Sequence, residues 1–148
     1  MHVIQSPYEL NRAILLDDTY YMSRRLQDFV LHRYSCGFPF DASEHLVNFD
    51  SHHLQIYIDL EQFFRDNGPT MEHWDIALTV ISRRTAEAQA VFDMLIVLCA
   101  TDPADYPAED GLSPAEAHRS AVERCELLRR YHTKMGFEIT SPSPGIQI

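Results

Sequence analysis

Apolar positions along this chain fall mostly at helical spacing. Trp74, Leu78, Ile81, Ala88, Val91, Leu95 and Leu98 share one side of a 3.6-residue repeat, with Thr79, Arg83, Gln89 and Asp93 on the other. Further on, Ala121, Val122, Cys125, Leu128, Tyr131 and Met135 form a second stripe. Punctuation agrees with the periodicity. Glycines and prolines cluster and leave four blocks with neither residue, 8–36, 40–67, 70–102 and 115–135. Blocks of that length suit helices, because strands average about 5–6 residues and would need internal turns.

The block ends carry capping signals. Ser6-Pro7-Tyr8-Glu9 and Ser113-Pro114-Ala115-Glu116 each read as a capping box with proline at the first helical position. Asp41-Ala42-Ser43-Glu44 predicts a short extra helix over 42–48. Gly136 follows a last turn bearing Arg129, Arg130 and Lys134, which suits a helix C-terminus. In the first block Asp17-Asp18-Thr19 either forms an exposed acidic turn within one helix or breaks it, with Asp18 or Thr19 capping a new helix.

Two stretches also fit strands. Leu54, Ile56, Ile58 and Leu60 alternate with polar or amphipathic residues, and 94–100 is a continuous apolar run. Residues 53–61 and 94–100 therefore keep an α+β alternative open. The expected fold is all-α: one four-helix bundle-like domain over 1–148, with a short extra helix and an extended tail over 140–148.

Charge narrows the function classes. The 148 residues carry a net charge of −10, which disfavours unaided binding to nucleic acid or anionic lipid. The imbalance is local. Residues 34–118 hold fifteen acids against Arg65, Arg83 and Arg84, a net of −12, and no Lys or Arg occurs from Thr85 to His118. Within that stretch Asp102, Asp105, Glu109, Asp110 and Glu116 have no basic neighbour in sequence, and Tyr106 sits among them. Complementary charge speeds encounter and selects partners, so these residues are the candidate partner-binding surface, with Tyr106 as the apolar anchor.

Catalytic and metal signals are sparse. Cys36, Cys99 and Cys125 form no CxxC spacing, and Cys99 and Cys125 read as small core residues. No nucleophile elbow or glycine-rich phosphate loop occurs. Asp28/His32 and Asp41/His45 are each four apart, so two pairs could converge on a metal in a helical bundle. The run Arg25-Leu-Gln-Asp-Phe-Val-Leu-His32 resembles the R-x(4–6)-H motif of HEPN-domain ribonucleases, which are small all-α proteins. That resemblance implies Arg25 and His32 acting on RNA across a dimer interface, although Leu26 replaces the polar residue that often follows the arginine. Tyr131–Ile139 looks like a segment of GNAT-type acetyltransferases, but their Q/R-x-x-G-x-G/A loop is absent.

The expected function is non-catalytic. The chain reads as an acidic inhibitor or immunity-type protein that masks a basic surface of a nuclease or another nucleic-acid-handling protein. A HEPN-like ribonuclease and a metal-binding bundle are the alternatives. No cofactor, nucleic-acid or membrane contact is expected, and self-association is left open. The opening MHVIQSPYEL lacks the basic-then-apolar pattern of a secretory signal, so a reducing cytoplasm is the expected location.

Overall fold

A computed structural model describes residues 5–108 and 110–146. The described residues are 69 % helical, with no strand among them. The helices are α1 (Pro7–Leu10), α2 (Arg12–Leu15), α3 (Tyr21–Tyr34), α4 (Ala42–His45), α5 (Ser51–Asn67), α6 (Met71–Ala100) and α7 (Pro114–Lys134), with a 3-10 turn at Pro103–Asp105. Among the described residues no helix is long and apolar enough to cross a membrane. The chain divides into two compact units, Met1–Arg83 and Arg84–Ile148.

In the first unit, the core gathers Tyr8, Leu15, Leu26, Phe29, Val30, Ile56, Leu60, Ile76 and Val80. The first block does break. Asp17 Oδ1 accepts the Thr19 amide at 2.9 Å, and α3 starts after Tyr20, so neither Asp18 nor Thr19 is its cap. Asp18 is engaged elsewhere, by the Gln27 amide at 2.8 Å and Arg83 at 3.3 Å. Ser6 caps α1 as expected, but only half of the box forms, because the Glu9 carboxylate pairs with Arg12 at 2.9 Å. His73 is buried. Its Nε2 donates to the Val30 carbonyl at 2.9 Å, and burial pushes its pKa down.

Both strand-compatible stretches are helical. The alternation in α5 has a simple cause. Ile56 and Leu60 lie four apart and face the core, while Leu54 and Ile58 lie four apart and face solvent. Two interleaved helical pairs thus mimic a two-residue period. The α4 helix is shorter than predicted and ends at His45.

The second unit is a helical hairpin, from Arg84 to Ala100 of α6 and then α7, closed by the 101–113 connection. Leu95, Leu98, Ala121 and Cys125 form its buried cluster. Cys99 departs from expectation, being exposed, whereas Cys125 is buried. Gly136, at φ 98°, ends α7, and the Phe137 amide reaches back to the His132 carbonyl at 2.8 Å. That left-handed residue turns the chain sharply, as a C-terminal glycine does.

The C-terminal segment then returns along α6 without regular secondary structure. The Asp93 carboxylate accepts the Ser143 hydroxyl at 2.5 Å and its amide at 2.9 Å, and Gln89 donates to the Ser141 carbonyl at 3.0 Å. The two Ser143 bonds hold the Asp93 carboxyl below the usual carboxylate range. A carboxylate of depressed pKa holds its partners at neutral pH and loses them as pH falls through its folded-state value. Asp93→Asn is therefore expected to speed amide exchange over 141–146 at neutral pH while leaving α7 protected. Equal exchange in both proteins would show that these bonds do not hold the segment.

Candidate binding surface

The acidic segment is shaped by its own caps. Asp102 opens the 3-10 turn by accepting the Ala104 amide at 2.9 Å. At the far end Ser113 and Glu116 complete the reciprocal capping box at 3.2 Å each, starting α7. Gly111, at φ 78°, occupies the left-handed position between them. Tyr106 pins the middle. Its half-buried ring packs on the Leu95, Leu98, Ala121 and Cys125 cluster and meets the His118 ring edge-on at 5.5 Å. His118 Nε2 in turn donates to the Leu98 carbonyl at 2.7 Å.

Asp102, Asp105, Asp110 and Glu116 are all exposed, and among the described residues none makes an ion pair. Glu109 lies outside the described residues. The structure thus places Asp102, Asp105 and Asp110 on the short connection and Glu116 in the first turn of α7. It places Tyr106 beneath them, packed inward.

Sequence periodicity missed a second feature of the same hairpin. Leu128 and Tyr131 belong to the apolar stripe of α7, yet they are 49 % and 39 % exposed. Met94 and Val97 of α6 are 57 % and 47 % exposed. A groove of about 260 Å³ runs between the helices, lined by Met94, Leu98, Tyr106, Arg124 and Leu128 among others. The signal was present as stripes wider than one packing seam, since two facing helices bury only the narrow side of each.

The other candidate residues lie in the first unit. Arg25 and His32 occupy one face of α3, two turns apart, about 10 Å along the axis. Each is held separately. Arg25 lies over the Tyr21 ring at 5.1 Å and 3.9 Å from Asp28, and His32 Nδ1 donates to the Phe38 carbonyl at 2.7 Å. RNA incubated with the protein without metal is expected to stay intact, and His32→Ala to behave identically. Cleavage by the wild type that disappears in the variant would assign catalysis to this pair.

The two aspartate–histidine pairs meet at one point only. His45 Nε2 lies 3.3 Å from Asp28 Oδ2, while His45 Nδ1 sits against the Asp41 backbone at 3.0–3.1 Å. Among the described residues no group of three or more His, Cys, Asp or Glu side chains is arranged to hold a metal. Asp28 and His45 are buried, and the imidazole packs at a tilt of 38° against the Phe40 ring, with centroids 4.8 Å apart. Their arrangement fastens the 35–50 connection onto α3.

No protein-family model, curated protein or solved structure matches this chain. Its surfaces alone carry the functional reading.

Proposed function

We propose that the chain is a non-catalytic, acidic protein-binding domain of the inhibitor or immunity type, covering a basic surface on a nuclease or another nucleic-acid-handling protein. The observation that carries this reading is an acidic segment held by caps and by Tyr106, of whose described carboxylates, Asp102, Asp105, Asp110 and Glu116, none makes an ion pair. A held segment loses little conformational entropy on docking. Unneutralised exposed carboxylates project a field that steers a cationic partner, with a reach of about 8 Å at physiological salt. Asp105 and Asp110 are the contacts expected to face the partner, with Asp102, Glu109 and Glu116 around them. Tyr106 contributes from beneath, by keeping the segment in one shape.

The test begins with affinity capture from the native host at low and high salt. A basic protein, retained at low salt by the wild type but not by Asp105→Asn/Glu109→Gln/Asp110→Asn, is the expected result. Equal capture by the two baits would remove the acidic segment from the interface.

A further inference from the structure

We propose that the hairpin of the second unit binds a medium-chain fatty acid, with the acyl chain in an apolar trough along α6 and the carboxylate on Arg129. The trough holds about 350 Å³ and is lined by Phe92, Leu95, Ile96, Cys99 and Ala100 of α6 and by Arg129 of α7. Phe92, Ile96 and Cys99 follow one another at helical spacing on one side of the buried seam, opposite the side of Met94 and Leu98. Residues 92–100 run about 12 Å along the helix axis, a length that suits a medium-length chain.

The trough does not end in solvent. A second cleft, of about 530 Å³, is lined by Glu126, Arg129, Arg130, Thr133, Lys134 and Glu138. Arg129 lines both, so the apolar trough opens into a polar, cationic cleft at its side chain. Both volumes lie within the range of small-ligand sites, about 300–1,000 Å³. An apolar channel joined to a cationic end is complementary to an amphiphile with an anionic head.

The two ends each narrow the occupant. An extended peptide laid in the trough would bring backbone N–H and C=O groups that the apolar side chains leave without partners. An acyl chain brings none. At the junction the Arg129 guanidinium lies over the Phe92 ring at 4.9 Å. An arginine stacked on a ring keeps its N–H edge for a planar, bidentate anion. Among the described residues Arg129, Arg130 and Lys134 make no ion pair. These three cations against Glu126 and Glu138 leave the cleft at +1. The two acids select a singly charged carboxylate, because the second charge of a phosphate monoester would meet them at like sign. The inference stands on this hairpin alone and does not depend on a protein partner at the acidic segment.

Calorimetric titration of the full chain with decanoate, below its micelle concentration, tests it. The wild type should show saturable one-to-one binding. Decyltrimethylammonium, with the same chain and the opposite head charge, should bind at least about tenfold more weakly, and decyl phosphate more weakly than decanoate. Arg129→Gln, at an exposed position, should weaken decanoate binding at least about tenfold with an unchanged helical spectrum. Arg124→Gln, in the groove on the other side of the seam, should leave it unchanged. Bound decanoate should also slow alkylation of Cys99 while leaving that of Cys36, the other exposed thiol, at its original rate. No saturable binding to the wild type overturns the proposal. So does either of the other two amphiphiles binding as tightly, undiminished binding in Arg129→Gln, an equal loss in Arg124→Gln, or a Cys99 that stays unprotected.

Discussion

Leu95→Ala is expected to lower the unfolding free energy by about 2–5 kcal/mol. Leu95 is buried in the four-residue cluster of the hairpin, against Leu98, Ala121 and Cys125, with Tyr106 packed on that cluster. Truncation loses the transfer free energy of the removed methyl groups and leaves a cavity that fixed helices fill only in part. Leu127→Ala is the matched control. Leu127 is 62 % exposed on α7, and its loss should change stability within about 0.5 kcal/mol. Urea unfolding followed by circular dichroism reads both. A near-neutral Leu95→Ala would mean that the seam between α6 and α7 contributes little.

His45→Ala is expected to cost about 1–3 kcal/mol. The Asp28 side chain is 1 % exposed, with His45 Nε2 at 3.3 Å and Arg25 at 3.9 Å. Removing the imidazole takes a polar neighbour from beside the buried Asp28 side chain and leaves a cavity in its place. The variant also loses the ring that packs against Phe40 and the Nδ1 contact with the Asp41 backbone. Asp28→Asn combined with His45→Ala should cost less than the two single changes added together, because the two side chains touch and each single change already removes their contact. Strict additivity would show that the two side chains do not interact. The His53–Asp50 pair provides the contrast. Asp50 is 53 % exposed, and water screens such a pair, so its loss should cost far less than that of His45.

These two sites also show what the sequence made legible. Helix boundaries followed local chemistry: Ser6 caps α1, Ser113 with Glu116 starts α7, and Gly136 turns the chain after α7. Such signals act over three or four residues and need no tertiary context. The facing of each stripe was harder to read. Trp74, Leu78 and Leu128 share the helical spacing of Ile76, Val80 and Cys125, yet the first three are exposed and the last three buried. Periodicity identifies an apolar side of a helix, but which part of a broad side meets another helix depends on packing between distant segments.

The same limit applies to the candidate sites. The acidic connection was visible because its charges are close together in sequence. The meeting of Asp28 with His45 was legible only as two separate pairs, since residues 33–44 must fold back to bring them together. The inward packing of Tyr106 had no sequence signal, because any aromatic among acids reads equally well as an anchor or as a core residue.

Steering of a basic partner by the acidic segment is read by the association rate of the captured partner with wild type and with Asp105→Asn/Glu109→Gln/Asp110→Asn, measured across a salt series. Exposed charges act mainly on encounter, so the wild-type on-rate should fall as salt rises. The neutralised protein should associate more slowly at low salt, show a flatter salt dependence, and dissociate at nearly the wild-type rate. Superimposable on-rates at every salt concentration would contradict steering by this segment and place the binding surface elsewhere on the molecule.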